Sequence, residues 1–170
     1  MGDCQPALPG RGGPYPGSPL TSPAVPEVLV ASDADWIIDD VRAAVGGPEV
    51  TLRSVRSGLD VLPAVEERVP DLAILDLQIG NMGGMAACLN LRLEESAGRL
   101  PHIPVLMLLD RRPDVFLARR SEAEGWILKP LDAIRLRKAV QLLLAGQRYE
   151  DPTNAPSPIA TGSGESLPVG

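Results

Sequence analysis

The sequence predicts an α/β fold, a doubly wound five-stranded parallel sheet flanked by five helices, and three observations predict it. Short apolar runs alternate along the chain with longer segments whose apolar residues recur at helical spacing. Runs such as VLVA (28–31) and VLMLL (105–109) are apolar throughout, as parallel strands covered on both faces require. Two acids and a lysine fall where such runs end, on the rim that carries ligand chemistry in open parallel sheets.

Taken in order, Val28 to Ala31 forms the first strand. Ile37, Ile38, Val41, Ala44 and Val45 then mark a helix with Asp35 as its N-cap, and Gly46-Gly47-Pro48 stops it. Val50 to Val55 is the second strand, and Leu59 to Glu67 a helix ending before Pro70. Leu72 to Leu77 (LAILDL) is the third strand; Gly83-Gly84 opens a helix carrying Met85, Cys88, Leu89 and Leu93. Ile103 to Leu109 is the fourth strand, followed by a helix from Asp114 to Ala123 with Phe116 and Leu117 on its apolar side. Trp126 to Leu128 is a short fifth strand, and Leu131, Ile134, Val140, Leu143 and Leu144 mark the last helix. Right-handed crossovers wind these units into one sheet with helices on both faces.

The ends of the chain have a different character. Residues 1–26 and 147–170 are dense in Pro, Gly and Ser and lack apolar periodicity, so both are expected to be disordered tails around a folded domain at 27–146. Apolar residues make up 44% of the chain and aromatics 3%, so aliphatic side chains must build the core. The net charge of −6 argues against a broad phosphate-binding surface without excluding a small basic face, and direct DNA binding is not expected because no DNA-binding segment is read after the last helix. Cys4 and Cys88 have no metal-ligand spacing and form no disulfide framework, and His102 is the single histidine. No apolar run reaches membrane-spanning length and the N-terminus does not read as a signal peptide, so a cytoplasmic, reduced chain is expected.

Three residues stand at the strand ends. Asp33 follows the first strand, Asp76 ends the third and Lys129 follows the fifth. Two bare acids about 5 Å apart repel by roughly 3 kcal/mol at an effective dielectric near 20. A hard divalent cation relieves that repulsion, and Mg²⁺ is the natural candidate because it keeps several waters and can be shared with a phosphoryl group.

Here the chain resembles the bacterial response-regulator receiver domain. DLAILDLQIGNMGGMAACLNLR (71–92) looks like the receiver segment in which a strand ends in the phosphoacceptor and a Gly-led helix follows. VLVASDAD (28–35), IPVLMLL (103–109) and ILKP (127–130) match the family's first strand, fourth strand and final Lys-Pro. The resemblance covers the whole ordered region. It implies a flavodoxin-like sheet of strand order 2-1-3-4-5, like that of chemotaxis regulators, in a stand-alone and atypical member. Residue by residue it implies that Asp76 is the phosphoacceptor, that Asp33, Asp76 and the Gln78 backbone carbonyl hold Mg²⁺, and that Lys129 binds a phosphoryl oxygen. The Lys129–Pro130 bond is expected to be cis. Implied partners are a histidine kinase or phosphotransfer protein, an output protein of unknown identity, and a second copy through the helix 4–strand 5–helix 5 face, where Arg111, Arg112, Arg119 and Arg120 cluster.

The chain departs from the family in several places. Ser32 stands where a second acid is usual, which predicts weak Mg²⁺ binding. Leu109 stands where the family has Ser or Thr, and no hydroxyl residue lies between Ser96 and Ser121 to replace it. Gly80 replaces a frequent Pro. Trp126 matches the family's switch aromatic, or is a plain core residue. Two functions therefore stay open: a phosphoaccepting receiver of a two-component relay, not an enzyme acting on other molecules, and a pseudo-receiver that binds partners independently of phosphorylation. A phosphate-ester hydrolase fits less well because Gln78 occupies the place of its second acid, and a dinucleotide enzyme because no G-x-G-x-x-G follows the first strand.

Overall fold

Strands that must be dry on both sides dominate the architecture. The structure, a computed structural model, describes residues 25–154. Of the tails expected at 1–26 and 147–170, residues 1–24 and 155–170 lie outside the described residues. β1 (Glu27–Ala31), β3 (Leu72–Asp76) and β4 (Val105–Leu109) are buried at every position, whereas the edge strand β2 (Thr51–Val55) is half-exposed. With β5 (Gly125–Leu128) and a short β6 (Tyr149–Glu150), they form one parallel sheet in the order β2-β1-β3-β4-β5-β6. The predicted order of five strands is present, with one strand added.

Alternate residues of each strand serve two cores. Leu29, Ala31, Leu75, Met107 and Trp126 face α2 (Val61–Glu67), α3 (Gly84–Ser96) and α4 (Val115–Arg120). Val28, Val30, Ile74, Leu108 and Ile127 face α1 (Asp35–Val45) and α5 (Ala133–Leu144). Among the described residues, no helix is long and apolar enough to cross a membrane.

Several local expectations are corrected. Asp35 is the first residue of α1 rather than its cap; Ala34 is the cap, and the Asp35 carboxylate pairs with Arg56. Leu59 lies in a 3₁₀ turn (Gly58–Asp60) ahead of α2 and is exposed. The fourth helix begins after a 3₁₀ turn at Arg112–Asp114 and ends at Arg120, not Ala123. Phe116, Leu93 and Ile134 are exposed. In α3 the buried stripe is Ala87, Cys88, Leu91 and Arg92, one step away from Leu89 and Leu93. In α4, Val115 and Ala118 take the core-facing positions, and the adjacent Phe116 must point outward. In α5 the stripe is Leu136, Ala139, Val140 and Leu143, which leaves Ile134 off it.

The largest correction concerns the expected tail from 147. The fold continues to Asn154: Tyr149 and Glu150 pair with Gly125 and Trp126, and a 3₁₀ turn (Pro152–Asn154) follows. Tyr149 is buried against the α1/α5 core. A Cβ at Gly125 would lie 2.8 Å from the Tyr149 carbonyl oxygen, so only glycine permits this close approach. Asp151 then buries its carboxylate against α5 and the end of β5, where it accepts hydrogen bonds from Leu128 N–H at 2.9 Å and Arg135 Nη1 at 2.6 Å.

Candidate functional site

Parallel register brings the strand-end residues into one row. Ala31 pairs with Leu75, Asp76 with Leu108, and Leu109 with Leu128. One residue further along, Ser32 comes opposite Asp76 and Asp110 opposite Lys129. The rim is completed by Gly84 at the start of α3. A Cβ there would come within 2.4 Å of the Asp76 carbonyl oxygen, so glycine lets the helix start directly over the strand end.

Asp76 is 2% exposed, and a carboxylate at that depth is costly unless paired and hydrogen-bonded. Its Oδ1 accepts from Lys129 Nζ at 2.7 Å and from the Gln78 backbone N–H at 3.1 Å, and its Oδ2 accepts from Ser32 Oγ at 3.0 Å. Ser32 is itself fully buried and accepts the Ala34 N–H at 3.2 Å, which aims its hydroxyl proton at Asp76. Lys129 Nζ also donates to both oxygens of Asp110, at 3.2 and 3.3 Å, and lies 5.9 Å from the centre of the Trp36 ring, within cation–π range.

Asp33 is exposed, and its Oδ2 accepts the Gly80 N–H at 3.2 Å. This bond gives the departure at Gly80 a physical reason, because a proline there has no N–H to donate. The structure thus gathers Asp76, Lys129, Ser32 and Gln78 around one carboxylate and sets Asp33 on the adjoining loop. The Lys129–Pro130 bond is cis.

Leu109 and Trp126 stand apart from this cluster. Leu109 is fully buried in the α2/α3/α4 core. Trp126 is 4% exposed in the same core, with the Arg119 guanidinium carbon 5.1 Å from its ring centre. A surface cavity of about 710 Å³, lined by Arg92, Glu95, His102, Glu124 and Trp126 among others, opens at the opposite, amino end of β4 and β5.

Sequence reasoning missed Asp110 and Trp36. Asp110 follows the fourth strand directly, as Asp33 and Lys129 follow theirs closely, and that position was its signal. Trp36 lies on the first turn of α1 beside Asp35, and no pattern in the sequence points it at Lys129.

The donor set suits a hydrated hard cation rather than a cage. Among the described residues, no three His, Cys, Asp or Glu side chains are grouped as metal ligands. Mg²⁺, however, is commonly held by one or two carboxylates with waters and phosphate oxygens completing its shell. Asp33, Asp76 and the Gln78 carbonyl are the groups that would have to supply it, while the Ser32 proton engages one of the Asp76 oxygens.

Comparisons with known proteins identify the family and the fold. The family model for the response regulator receiver domain matches residues 28–141. The chain is 28% identical over 119 residues to the transcriptional regulatory protein CseB of Streptomyces avermitilis, covering 69% of this chain and 48% of that protein. It is 29% identical over 126 residues to the DNA-binding response regulator MtrA of Mycolicibacterium smegmatis, covering 73% and 52%. The chain therefore spans about half the length of these curated relatives. Among solved structures, a LuxR-family two-component response regulator from Aurantimonas superposes with a TM-score of 0.67 at 20% identity, covering 78% of this chain and 94% of that one. The chemotaxis response regulator CheY4 of Vibrio cholerae superposes with a TM-score of 0.62 at 21% identity, covering 69% and 97%. These two likenesses establish the fold. With two thirds of its length matched by the family model, the chain belongs to the response regulator receiver domain family, the signalling domains of two-component systems whose general function is phosphorylation on an aspartate.

Proposed function

We propose that Asp76 is the phosphoacceptor of this receiver and that Lys129 is the cation that binds the phosphoryl group. The observation that carries the reading is the 2.7 Å pair between Lys129 Nζ and Asp76 Oδ1 at the carboxyl rim of the sheet. An Asp76 carboxylate oxygen attacks phosphorus, and the bond from phosphorus to the donor's nitrogen or oxygen breaks as the leaving group takes the electron pair. Lys129 balances the charge on the phosphoryl oxygens as a point charge. Asp33, Asp76 and the Gln78 carbonyl would hold Mg²⁺, which supplies further charge neutralisation when bound. Binding is expected to be weak because Ser32 contributes no charge.

The donor is a histidine kinase or phosphotransfer protein, and phosphoryl gain and loss are confined to the domain's own aspartate. The relatives are named as transcriptional or DNA-binding regulators. This segment, with a net charge of −6, acts in the cytoplasm through protein contacts rather than on DNA. A homodimer through α4, β5 and α5 would have to be built around β6, which occupies the β5 edge.

A second reading, a pseudo-receiver whose partner binding is independent of phosphorylation, is favoured by one observation. Leu109 is fully buried where a hydroxyl would be needed to convey phosphorylation to the core. Incubation with acetyl phosphate and Mg²⁺, followed by intact mass, separates the two. A phosphoryl gain that Asp76→Asn abolishes supports the first reading. An unchanged wild-type mass together with no binding of beryllofluoride selects the second.

A further inference from the structure

Lys129 is held between two acids of unequal burial. On its inner side is Asp76, whose side chain is 3% exposed; on its outer side is Asp110, whose side chain is 39% exposed. The ammonium has three N–H donors. One reaches Asp76 at 2.7 Å, and the contacts at 3.2 and 3.3 Å commit donor capacity to Asp110. Register is responsible: Leu109 pairs with Leu128, so the residue that leaves β4 meets the residue that leaves β5.

We infer that Asp110 is a positioning residue that competes with an incoming phosphoryl group for Lys129 and thereby sets a low affinity of the site for phosphoryl-like anions. The inference rests on the reading of Asp76 as phosphoacceptor. At rest, one ammonium serves two carboxylates. A phosphoryl group on Asp76 adds negative oxygens that need the same N–H donors, while Asp110 keeps part of them. Leu109, immediately before Asp110, has no hydroxyl with which to offset the loss. Asp110 acts here through Lys129 and needs no contact with the phosphoryl group.

The test is the dissociation constant of beryllofluoride, with saturating Mg²⁺, for the full chain and its variants. Asp110→Asn keeps the size of the side chain and removes the charge, and is expected to bind beryllofluoride several-fold more tightly than wild type. Asp110→Glu is expected to stay close to wild type. Because Asp110 is partly exposed, the gap between the Asn variant and wild type should narrow as ionic strength rises, which a merely structural role would not produce. In a Lys129→Met background, Asp110→Asn should lose most of its effect.

Equal or weaker binding by Asp110→Asn, with wild type binding normally, overturns the inference and leaves the phosphoacceptor reading intact. A full effect that persists without Lys129 overturns the positioning role. Failure of wild type and Asp110→Asn alike to bind beryllofluoride or to gain mass from acetyl phosphate overturns the phosphoacceptor reading, and this inference with it.

Discussion

The Asp151 carboxylate accepts the backbone N–H of Leu128 at 2.9 Å, one residue before Lys129. It is fully buried and is held also by Arg135 at 2.6 Å and by the Thr153 hydroxyl at 2.6 Å. Arg135 in turn donates to the Pro130 carbonyl at 2.8 Å. The segment after α5 is therefore tied to both sides of the Lys129 backbone.

Asp151→Ala should be costly. It leaves a buried N–H without an acceptor and Arg135 without its charge partner. Breaking a fully buried ion pair costs about 3–5 kcal/mol, and Arg135 is partly exposed and keeps Pro130, so a loss of about 2–4 kcal/mol is expected. Urea unfolding at unchanged m-value measures it. A loss under about 0.5 kcal/mol, the level of an ordinary surface substitution, would show that β6 and its turn are not part of the cooperative unit.

Acid should act through the same residue. Burial alone pushes the Asp151 carboxyl up, but hydrogen bonds from the Thr153 hydroxyl and N–H and the Leu128 N–H, with the Arg135 charge, outweigh it and hold the group below the usual carboxylate range. A lowered folded value means that the unfolded chain binds the proton more readily. The stabilisation is fully present above the unfolded value of about 3.9 and is lost as pH falls through the lower folded value. Wild type should therefore lose stability more steeply than Asp151→Asn in this acid range. Parallel stability curves for the two proteins would count against the assignment.

Most of the sheet is legible in the sequence because a strand buried on both faces needs an unbroken apolar run, and VLVA, LAIL and VLMLL are such runs. Asp33, Asp76 and Lys129 are legible because each stands at or just beyond the end of a run. β6 is not, because a two-residue strand has no periodicity and Tyr149 sits in a stretch whose composition reads as a tail. The phase of short helices is equally hard to read: in the six residues of α4, Phe116 is the largest apolar side chain, yet Val115 and Ala118 take the core. Asp110 was hidden by its neighbours, since DRRPD reads as a charged loop. Only the pairing of Leu109 with Leu128 turns it toward Lys129.

Ser32→Asp should strengthen Mg²⁺ binding. The substitution removes the proton now aimed at Asp76 Oδ2 and brings a second buried carboxylate close to it. Like charges about 4 Å apart repel by about 4 kcal/mol at an effective dielectric near 20. With Lys129 and structural relaxation offsetting part of that, a net destabilisation of about 1–3 kcal/mol without metal is expected. Ligand linkage should return much of it at millimolar Mg²⁺. The check is the shift in Tm on adding Mg²⁺, larger in the variant than in wild type; equal shifts would mean that the missing acid does not limit the metal.

Leu109→Thr tests whether the absent hydroxyl limits the response to phosphorylation. Leu109 is fully buried in the same core as Val115, Ala118 and Trp126, so the smaller, polar side chain should cost about 2–4 kcal/mol of stability. It also places a donor at the end of β4, and a hydrogen bond to a charged group is worth about 1.5–3 kcal/mol. The variant should therefore bind beryllofluoride at least about tenfold more tightly, since about 1.4 kcal/mol is a factor of ten. Because Trp126 shares the core that the new hydroxyl would pull on, its fluorescence, read in a Trp36→Phe background since Trp36 lies beside Lys129, should change on beryllofluoride binding more with Leu109→Thr than without it. The two readouts divide the question. Tighter binding with an unchanged Trp126 signal would mean that the hydroxyl recovers affinity alone and that the core around Leu109 does not convey it. Unchanged affinity in a folded variant would remove Leu109 as the reason for any weak response and leave the charge balance at Lys129 to account for it.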